Sequence, residues 1–248
     1  MEKRHILWLT IGILIAVVNY YSVRGERPGE DNERILSYVL DPAQQDLDFY
    51  WKDSQGEIYG NFENLKKELE KEGKKLTFAM NGGMYLKDQT PQGLFIEKGL
   101  VQKKLDDKQE GYGNFYLQPN GVFYLDQDNK AGIVRSSSFK HKHPVKYATQ
   151  SGPMLVIEGA LHPAFREGSE NLHIRNGVGL LEDGKLLFAI SKNRINFFDF
   201  ASFFKEQGCR QALYLDGFVS RMYLPEKGYE QMDGAFGVII AESQPARQ

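Results

Sequence analysis

Small polar residues followed by glycine recur at four places in the sequence, each where a predicted strand runs into a turn. Glycine permits a positive φ angle and lets a ligand approach the backbone closely, and the polar side chain beside it can bind that ligand. Taken one at a time, each stretch also fits a plain tight turn. The stretches are Asn81-Gly-Gly, Gln150-Ser-Gly-Pro153, Arg175-Asn-Gly-Val-Gly179 and Asp216-Gly-Phe-Val-Ser220.

Several familiar chemistries have no motif in this sequence. There is no serine-hydrolase elbow, phosphate-binding loop, zinc-protease motif or dinucleotide fingerprint. We interpret His141-Lys-His143 as a polar loop rather than a metal site, because carboxylates are lacking nearby. A lone cysteine, Cys209, leaves no disulfide within the chain and no cysteine-based zinc site. The residues predict no metal ligands and no cofactor, and a divalent metal stays an open alternative.

The composition describes an ordinary folded protein. The chain has 248 residues, with 31 Lys and Arg against 33 Asp and Glu, so its formal net charge is −2. We expect no nucleic-acid partner, because phosphate-driven binding needs a basic face. An apolar content of 41% supplies enough side chains for a hydrophobic core and excludes disorder or fibrous repeats.

The N-terminus has the pattern of an export signal. Basic residues at 3–5 precede an uncharged run, Ile6–Val18, which is too short for a comfortable membrane span. Because no clear cleavage site follows, residues 1–22 are predicted as a signal peptide or an N-terminal membrane anchor. We therefore expect an exported protein, periplasmic or extracellular. Its membrane contact would be limited to this segment, as a tether to the inner membrane.

One domain is predicted after this leader. Residues 23–34 have the composition of a linker, residues 35–242 form the domain, and residues 243–248 are a polar tail. Alternating apolar stretches separated by turn signals predict an α+β fold, with a mixed, mostly antiparallel sheet and at least two helices packed on it.

The two predicted helices have recognisable ends. The first begins after Asn61 and ends at Gly73, and the second is capped by Asp199 and ends at Gly208. In both cases a short buried strand follows the glycine.

A polar residue stands eight positions after each of these glycines, at Asn81 and at Asp216. If this layout is a true repeat rather than a coincidence of two ordinary turns, the two side chains face one another across a pseudo-symmetric centre.

Together and in order, four signatures resemble the phosphodiester glycosidase domain. This family includes the uncovering enzyme that removes N-acetylglucosamine from a phosphodiester. The resemblance covers roughly Leu76 to Ala241, and the segment 114–123 is similar to the exported bacterial branch of the family. The signatures are Asn81-Gly-Gly-Met-Tyr85, Ser151-Gly-Pro-Met-Leu155, Arg175-x-x-x-Gly179 and Asp216-Gly-x-x-Ser220.

Two departures from the family pattern fall at the expected site. Phe218 replaces the second glycine of the usual Asp-Gly-Gly-x-Ser, and Asn176-Gly177 stands where Thr-Ala is common. Both bear on substrate geometry. They keep open a second hypothesis, a catalytically silent glycan-binding module of the same fold.

The resemblance implies cleavage of a sugar–phosphate bond. The leaving phosphate ester departs as a stable anion, so the enzyme needs donors for phosphate charge and a carboxylate for the oxocarbenium-like centre or the attacking water. We predict Asp216 as that carboxylate and Arg175 as the phosphate-binding cation. The alternatives are that Asp216 caps a turn and that Arg175 is a structural ion-pair partner for Asp216. Glu97 and Asp199 are fallback carboxylates.

The predicted ligand is a carbohydrate or glycosyl phosphate. The predicted function is an exported hydrolase that cleaves the sugar–phosphate bond of glycosyl phosphodiesters in envelope or exopolysaccharide material. A glycan-binding module and a metal-dependent phosphodiesterase are the alternatives. The predicted substrate-binding groups are the side chains of Asn81, Ser151 and Ser220 and the backbone N–H groups of Gly82, Gly83 and Gly152.

Overall fold

The computed structural model describes residues 31–140, 144–216 and 219–246. The predicted leader, residues 1–22, and the His141-Lys-His143 motif lie outside the described residues. The two helices are α1 (Phe62–Lys71) and α2 (Phe197–Glu206). The strands are β1 (Ile35–Leu40), β2 (Leu47–Tyr50), β3 (Lys74–Asn81), β4 (Phe95–Glu97), β5 (Leu100–Lys103), β6 (Gly121–Asp126), β7 (Ala131–Arg135), β8 (Val145–Ser151), β9 (Met154–Ile157), β10 (Ala160–Leu161), β11 (Asn176–Leu180), β12 (Leu186–Ser191), β13 (Gln211–Asp216), β14 (Met222–Leu224), β15 (Tyr229–Glu230) and β16 (Ile239–Pro245).

These strands form three sheets. The first has the order β1-β12-β11-β13-β9-β10, the second β15-β14-β3-β16-β2, and the third β5-β4-β8-β6-β7. The recorded pairings among the described strands are antiparallel, and the predicted α+β single domain is confirmed. Three sheets replace the expected single sheet, in part because the chain leaves the third sheet at Gly152-Pro153 and continues as β9 in the first.

Aromatic side chains from all three sheets meet in one core. Phe49 of the second sheet and Phe123 of the third have ring centroids 5.3 Å apart, and Phe188 of the first sheet lies 6.2 Å from Phe123. All three rings are fully buried. Burying each contributes roughly 2–3 kcal/mol, so this contact stabilises the arrangement of the sheets.

Each helix covers the outer face of one sheet. Phe62, Leu65 and Leu69 of α1 are buried at helical spacing against the second sheet. Helix α2 buries a row of phenylalanines, including Phe200 and Phe204, against the first sheet.

The predicted N-cap is confirmed for α1 and wrong for α2. The Asn61 side chain accepts from Asn64 N at 2.9 Å. In α2 the cap is Asn196, whose side chain accepts from Asp199 N at 2.8 Å. Asp199 lies in the first helical turn and forms an ion pair with Arg34 at 3.2 Å. The helix begins earlier than expected because Phe197 already packs into the core.

In the part of the chain that the structure describes, no helix has the length and apolar character to cross a membrane.

Candidate functional site

Four strand ends from all three sheets meet at one place. Asn81 ends β3, Ser151 ends β8, Asn176 begins β11 and Asp216 ends β13. Asn176 and Asp216 are directly paired, because β11 and β13 are antiparallel and the start of one lies beside the end of the other. All four side chains belong to residues that are at most 3% exposed. The fold therefore builds a buried polar centre from residues distant in sequence.

The Asn81 amide is the hub of this centre. Its Nδ2 donates to the Asp216 carboxylate oxygen Oδ2 and to Val219 O, the latter at 2.6 Å. Its Oδ1 accepts from Asn176 Nδ2 at 2.9 Å and from Arg221 N at 2.8 Å. Both hydrogens and both lone pairs of the amide are thus in use. The two polar residues that follow the helix–glycine–strand layouts are in direct contact.

Asn176 holds both of these residues in place. Its Nδ2 also donates to Asn81 O at 2.9 Å, and its Oδ1 accepts from Asp216 N at 2.9 Å. In the sequence Asn176 stands out only as a departure from the family pattern, and it is not among the predicted site residues. The available signal was the polar-before-glycine pattern that singled out the other positions.

The two serines bind backbone carbonyls at the edge of the centre. Ser151 Oγ donates to Leu215 O at 2.8 Å, which joins the third sheet to β13. Ser220 Oγ lies 3.0 Å from Asp216 O and 3.2 Å from Ile174 O. The structure therefore brings both serines to the predicted site, where their described contacts shape the turns around Asp216.

The predicted glycines are needed for close packing here. The Gly82 N–H already donates to Val238 O at 2.9 Å. Gly83 has φ +93°, a conformation that residues with a side chain rarely adopt. A Cβ on Gly152 would lie 2.6 Å from the Cβ of Asn120, too close for a real contact.

Arg175 is completely buried beside this centre. Its Nε donates to Ile195 O at 2.8 Å, one terminal nitrogen to Tyr214 Oη at 3.2 Å, and the other to Asn171 O at 2.9 Å and Oδ1 at 3.1 Å. The Phe197 ring centroid lies 3.6 Å from the guanidinium carbon. Burial lowers the pKa of Arg175 from its ordinary value, but arginine stays charged in proteins.

The Arg175 guanidinium is buried without an acidic partner. Within residues 31–140, 144–216 and 219–246, no ion pair joins Arg175 to Asp216 or to another carboxylate. Its hydrogen-bond acceptors are neutral oxygens. Burying an uncompensated charge is costly, and neutral acceptors and an aromatic face offset only part of that cost.

Two tyrosines lie close enough to Asp216 for its carboxylate to affect their pKa values. Burial raises the pKa of Tyr214, with the Asp216 charge raising it further and the Arg175 charge lowering it. The Tyr214 phenol therefore lies within reach of both charges. Burial, followed by the Asp216 charge, also raises the pKa of Tyr85, which follows the Asn81-Gly-Gly turn.

The fallback carboxylates lie outside the polar centre. Glu97 ends β4 in the third sheet; burial, with a smaller contribution from Asp48, raises its pKa to about 7. Asp199 pairs with Arg34 instead. Among the described residues, no three His, Cys, Asp or Glu side chains gather into a group that could hold a metal ion. Gly217 and Phe218 lie outside the described residues.

The fold and site define a class: an α+β domain in which three antiparallel sheets deliver two asparagines, one aspartate and one serine into a single buried centre. The family model for phosphodiester glycosidase matches residues 74–238. The chain therefore belongs to the phosphodiester glycosidase family, and the family resemblance read from the sequence is confirmed.

Proteins similar to this chain are known from several organisms. The uncharacterized protein YigE of Escherichia coli (strain K12) is 38% identical over 191 residues, which cover 77% of this chain and 74% of that protein. The catalytic domain of zebrafish N-acetylglucosamine-1-phosphodiester alpha-N-acetylglucosaminidase, auto-inhibited by its pro-peptide, is 15% identical with a TM-score of 0.55, covering 88% of this chain and 86% of that one. A Burkholderia pseudomallei K96243 protein that carries the name of an exported protein is 10% identical with a TM-score of 0.55, covering 87% and 75%. These structural likenesses show the fold.

Proposed function

We propose that this chain is an exported hydrolase that cleaves the sugar–phosphate bond of glycosyl phosphodiesters in envelope or exopolysaccharide material. Family membership supports glycosidase chemistry on phosphodiesters. The observation that carries the proposal for this chain is the buried Arg175 cation, which has neutral partners. One of them is the Tyr214 hydroxyl, which belongs to the same strand, β13, as Asp216.

A buried cation without a carboxylate partner favours an anionic ligand. The positive potential around Arg175 acts in a site of low dielectric, where it is worth far more than in water. A phosphodiester group brings one negative charge and presents oxygens to such a potential. The same potential stabilises the phosphate ester that leaves when the sugar–phosphate bond breaks.

Asp216 is the proposed carboxylate of the reaction. Asn81 fixes its Oδ2 and Asn176 fixes its backbone N–H, so the carboxylate is held in one orientation. In that position it stabilises the oxocarbenium-like centre or activates a water. Ser151, Ser220 and the backbone of the glycine turns are the proposed frame for the sugar. Because the leaving group is already a stable anion, no strong general acid is required.

The proposal of export rests on the N-terminal pattern, a basic start followed by a short apolar run. The relative from Burkholderia pseudomallei that carries the name of an exported protein supports it.

The decisive test replaces Asp216 with its uncharged isostere. In a panel of glycosyl phosphodiesters, wild-type protein releases free sugar, and Asp216→Asn lowers the rate about a thousandfold or more while the protein stays folded. Asp199→Asn is the matched control, because it removes a carboxylate outside the polar centre and leaves the rate unchanged.

Three results would contradict the proposal. Equal rates for Asp216→Asn and wild type would remove Asp216 from the chemistry. Binding of glycosyl phosphates without turnover would replace the hydrolase with a glycan-binding module. Loss of activity with a chelator would favour the metal-dependent phosphodiesterase.

A further inference from the structure

Two exposed basic side chains lie beside the buried Arg175. His173 and Ile195 pair through their backbones, with N···O distances of 3.2 and 2.8 Å. Arg194 directly precedes Ile195, whose carbonyl also accepts the Arg175 Nε–H at 2.8 Å. His173 and Arg194 are both exposed. One short backbone bridge therefore gathers three basic groups.

The two arginines of this basic cluster (His173, Arg175 and Arg194) have no carboxylate to neutralise them in the described chain. Across the described ranges, none of its members makes an ion pair with a carboxylate. Partial burial and the charges of Arg175 and Arg194 lower the pKa of His173, as expected when cations crowd an imidazole. Surface arginines are usually solvated or paired, and three basic groups at one bridge without an acid favour an anion.

Arg175 itself has little freedom to contact a ligand. The Asn171 oxygens, the Tyr214 phenol and the Ile195 carbonyl already accept from its guanidinium. For the Arg175 guanidinium to bind a phosphate through two nitrogens, Asn171 would have to move away from it. Arg194 and His173 carry no such contacts in the described chain and face solvent.

The cluster is attached to the turn that carries Asp216. Ser220 Oγ lies within hydrogen-bond distance of both Ile174 O, at 3.2 Å, and Asp216 O, at 3.0 Å. Ile174 is the residue between His173 and Arg175. A phosphate oxygen held at this edge would therefore lie on the Asp216 side of the domain.

We infer that Arg194 and His173 form the contact surface for the phosphate of the substrate, with Arg175 reinforcing their charge from beneath. The ligand class is a phosphate diester anion. Its oxygens accept from the planar guanidinium of Arg194 and from a ring N–H of His173. The inference rests on the proposed function for the identity of its substrate, but anion binding is measurable without turnover.

The test measures the affinity of the full-length protein for dimethyl phosphate by calorimetry. Arg194→Gln weakens binding about tenfold, the loss expected for one charge-assisted contact. Lys192→Gln is the matched control: it removes the same unit of charge from an exposed residue nearby, whose Nζ contacts Asn32 O, and changes the affinity less than about twofold.

A second arm uses pH. Because dimethyl phosphate keeps one negative charge between about pH 5.5 and 8, a change in its affinity reports on the protein. A bound anion favours the protonated form of His173 against Arg175 and Arg194, so affinity rises as pH falls. His173→Gln removes this rise.

The outcomes separate the inference from the proposed function. Equal weakening by Lys192→Gln and Arg194→Gln would show only general electrostatics and overturn the inference. So would unchanged affinity in Arg194→Gln. Sugar release by wild type together with either result leaves the hydrolase standing and removes the phosphate contact. Arg194-dependent phosphate binding without sugar release keeps the contact and removes the hydrolase.

Discussion

Two helix–glycine–strand units meet at the polar centre, and they have the same backbone design. In the first unit, α1 and Gly73 lead into β3; in the second, α2 and Gly208 lead into β13. Each helix is capped by an asparagine, and each glycine has a positive φ, +71° and +84°. The hydrogen bonds that close the helices also match, from Gly73 N to Glu70 O and from Gly208 N to Lys205 O, both at 3.0 Å.

The units differ in what they carry. The first unit ends in a neutral amide, Asn81, at the end of β3. Its helix, α1, has a largely charged outer face. The second ends in the carboxylate of Asp216, and its helix places Phe197 against the Arg175 guanidinium. The shared backbone design therefore positions the two polar side chains, and only the second unit brings a charged group, the Asp216 carboxylate, to the polar centre. One amide and one carboxylate can hydrogen-bond directly, whereas two carboxylates would repel each other.

The largest expected effect comes from making the two units alike. Asn81→Asp places a second carboxylate against Asp216 in a buried position. We expect about 3 kcal/mol of destabilisation at about pH 8, measured by urea unfolding. The shared proton raises the pKa of the pair in the folded state, so this stability is lost as pH rises through that raised value and partly returns at about pH 5.

Asn61→Asp is the matched control for that substitution. Aspartate caps a helix as well as asparagine does, so the free energy of unfolding changes by less than about 0.5 kcal/mol. An Asn81→Asp protein with the same loss at both pH values would show that lost hydrogen bonds, not repulsion, separate the units.

The two caps provide the next comparison. Asn196 is buried at 4% exposure and ends the segment that supports Arg175, whereas Asn61 is more exposed. Asn196→Ala should cost about 2 kcal/mol and Asn61→Ala about 1 kcal/mol in the free energy of unfolding, because the N–H left unpaired at Asp199 is partly buried and the one at Asn64 is exposed. Equal costs would argue that both helix ends are solvated alike.

The sequence predicted these units because their signals are local. Asparagine caps, apolar spacing and glycine stops act within a few residues, so α1, α2 and their strands follow from short windows. The one misplaced cap, at Asp199, arose because Asn196 and Asp199 are both good capping residues and only the packing of Phe197 decides between them.

The site was harder to predict from the sequence. Asn81 and Asp216 followed from the repeated layout, but Asn176 contacts them through pairing between distant strands. The same limit applies to Arg175, since no local pattern indicates that Asn171 and Tyr214 cover its guanidinium. The division into three sheets also depends on which strand edges meet, which is a long-range property.

Glu97 is a carboxylate that belongs to neither helix–glycine–strand unit. Its pKa of about 7 is raised above the ordinary value, so the folded protein holds a proton that the unfolded chain releases, and stability falls as pH rises from about 4.5 to 7. Glu97→Gln should remove about 1–2 kcal/mol of this pH-dependent loss in the free energy of unfolding. The expected value is small because solvent screens a partly exposed carboxylate. Sugar release should be unchanged. Loss of activity in this variant would move the reactive carboxylate away from the second unit.

The smallest effect tests whether the backbone design is truly shared. A Cβ at Gly73 or at Gly208 would meet no atom within 4 Å, so alanine at either position introduces only the strain of a positive φ. Gly73→Ala and Gly208→Ala should each cost about 1 kcal/mol, with a difference below about 0.5 kcal/mol in urea unfolding. A markedly larger cost at Gly208 would mean that the charged unit depends on its helix end more than the neutral one. The two units would then share a sequence layout without sharing a mechanical role.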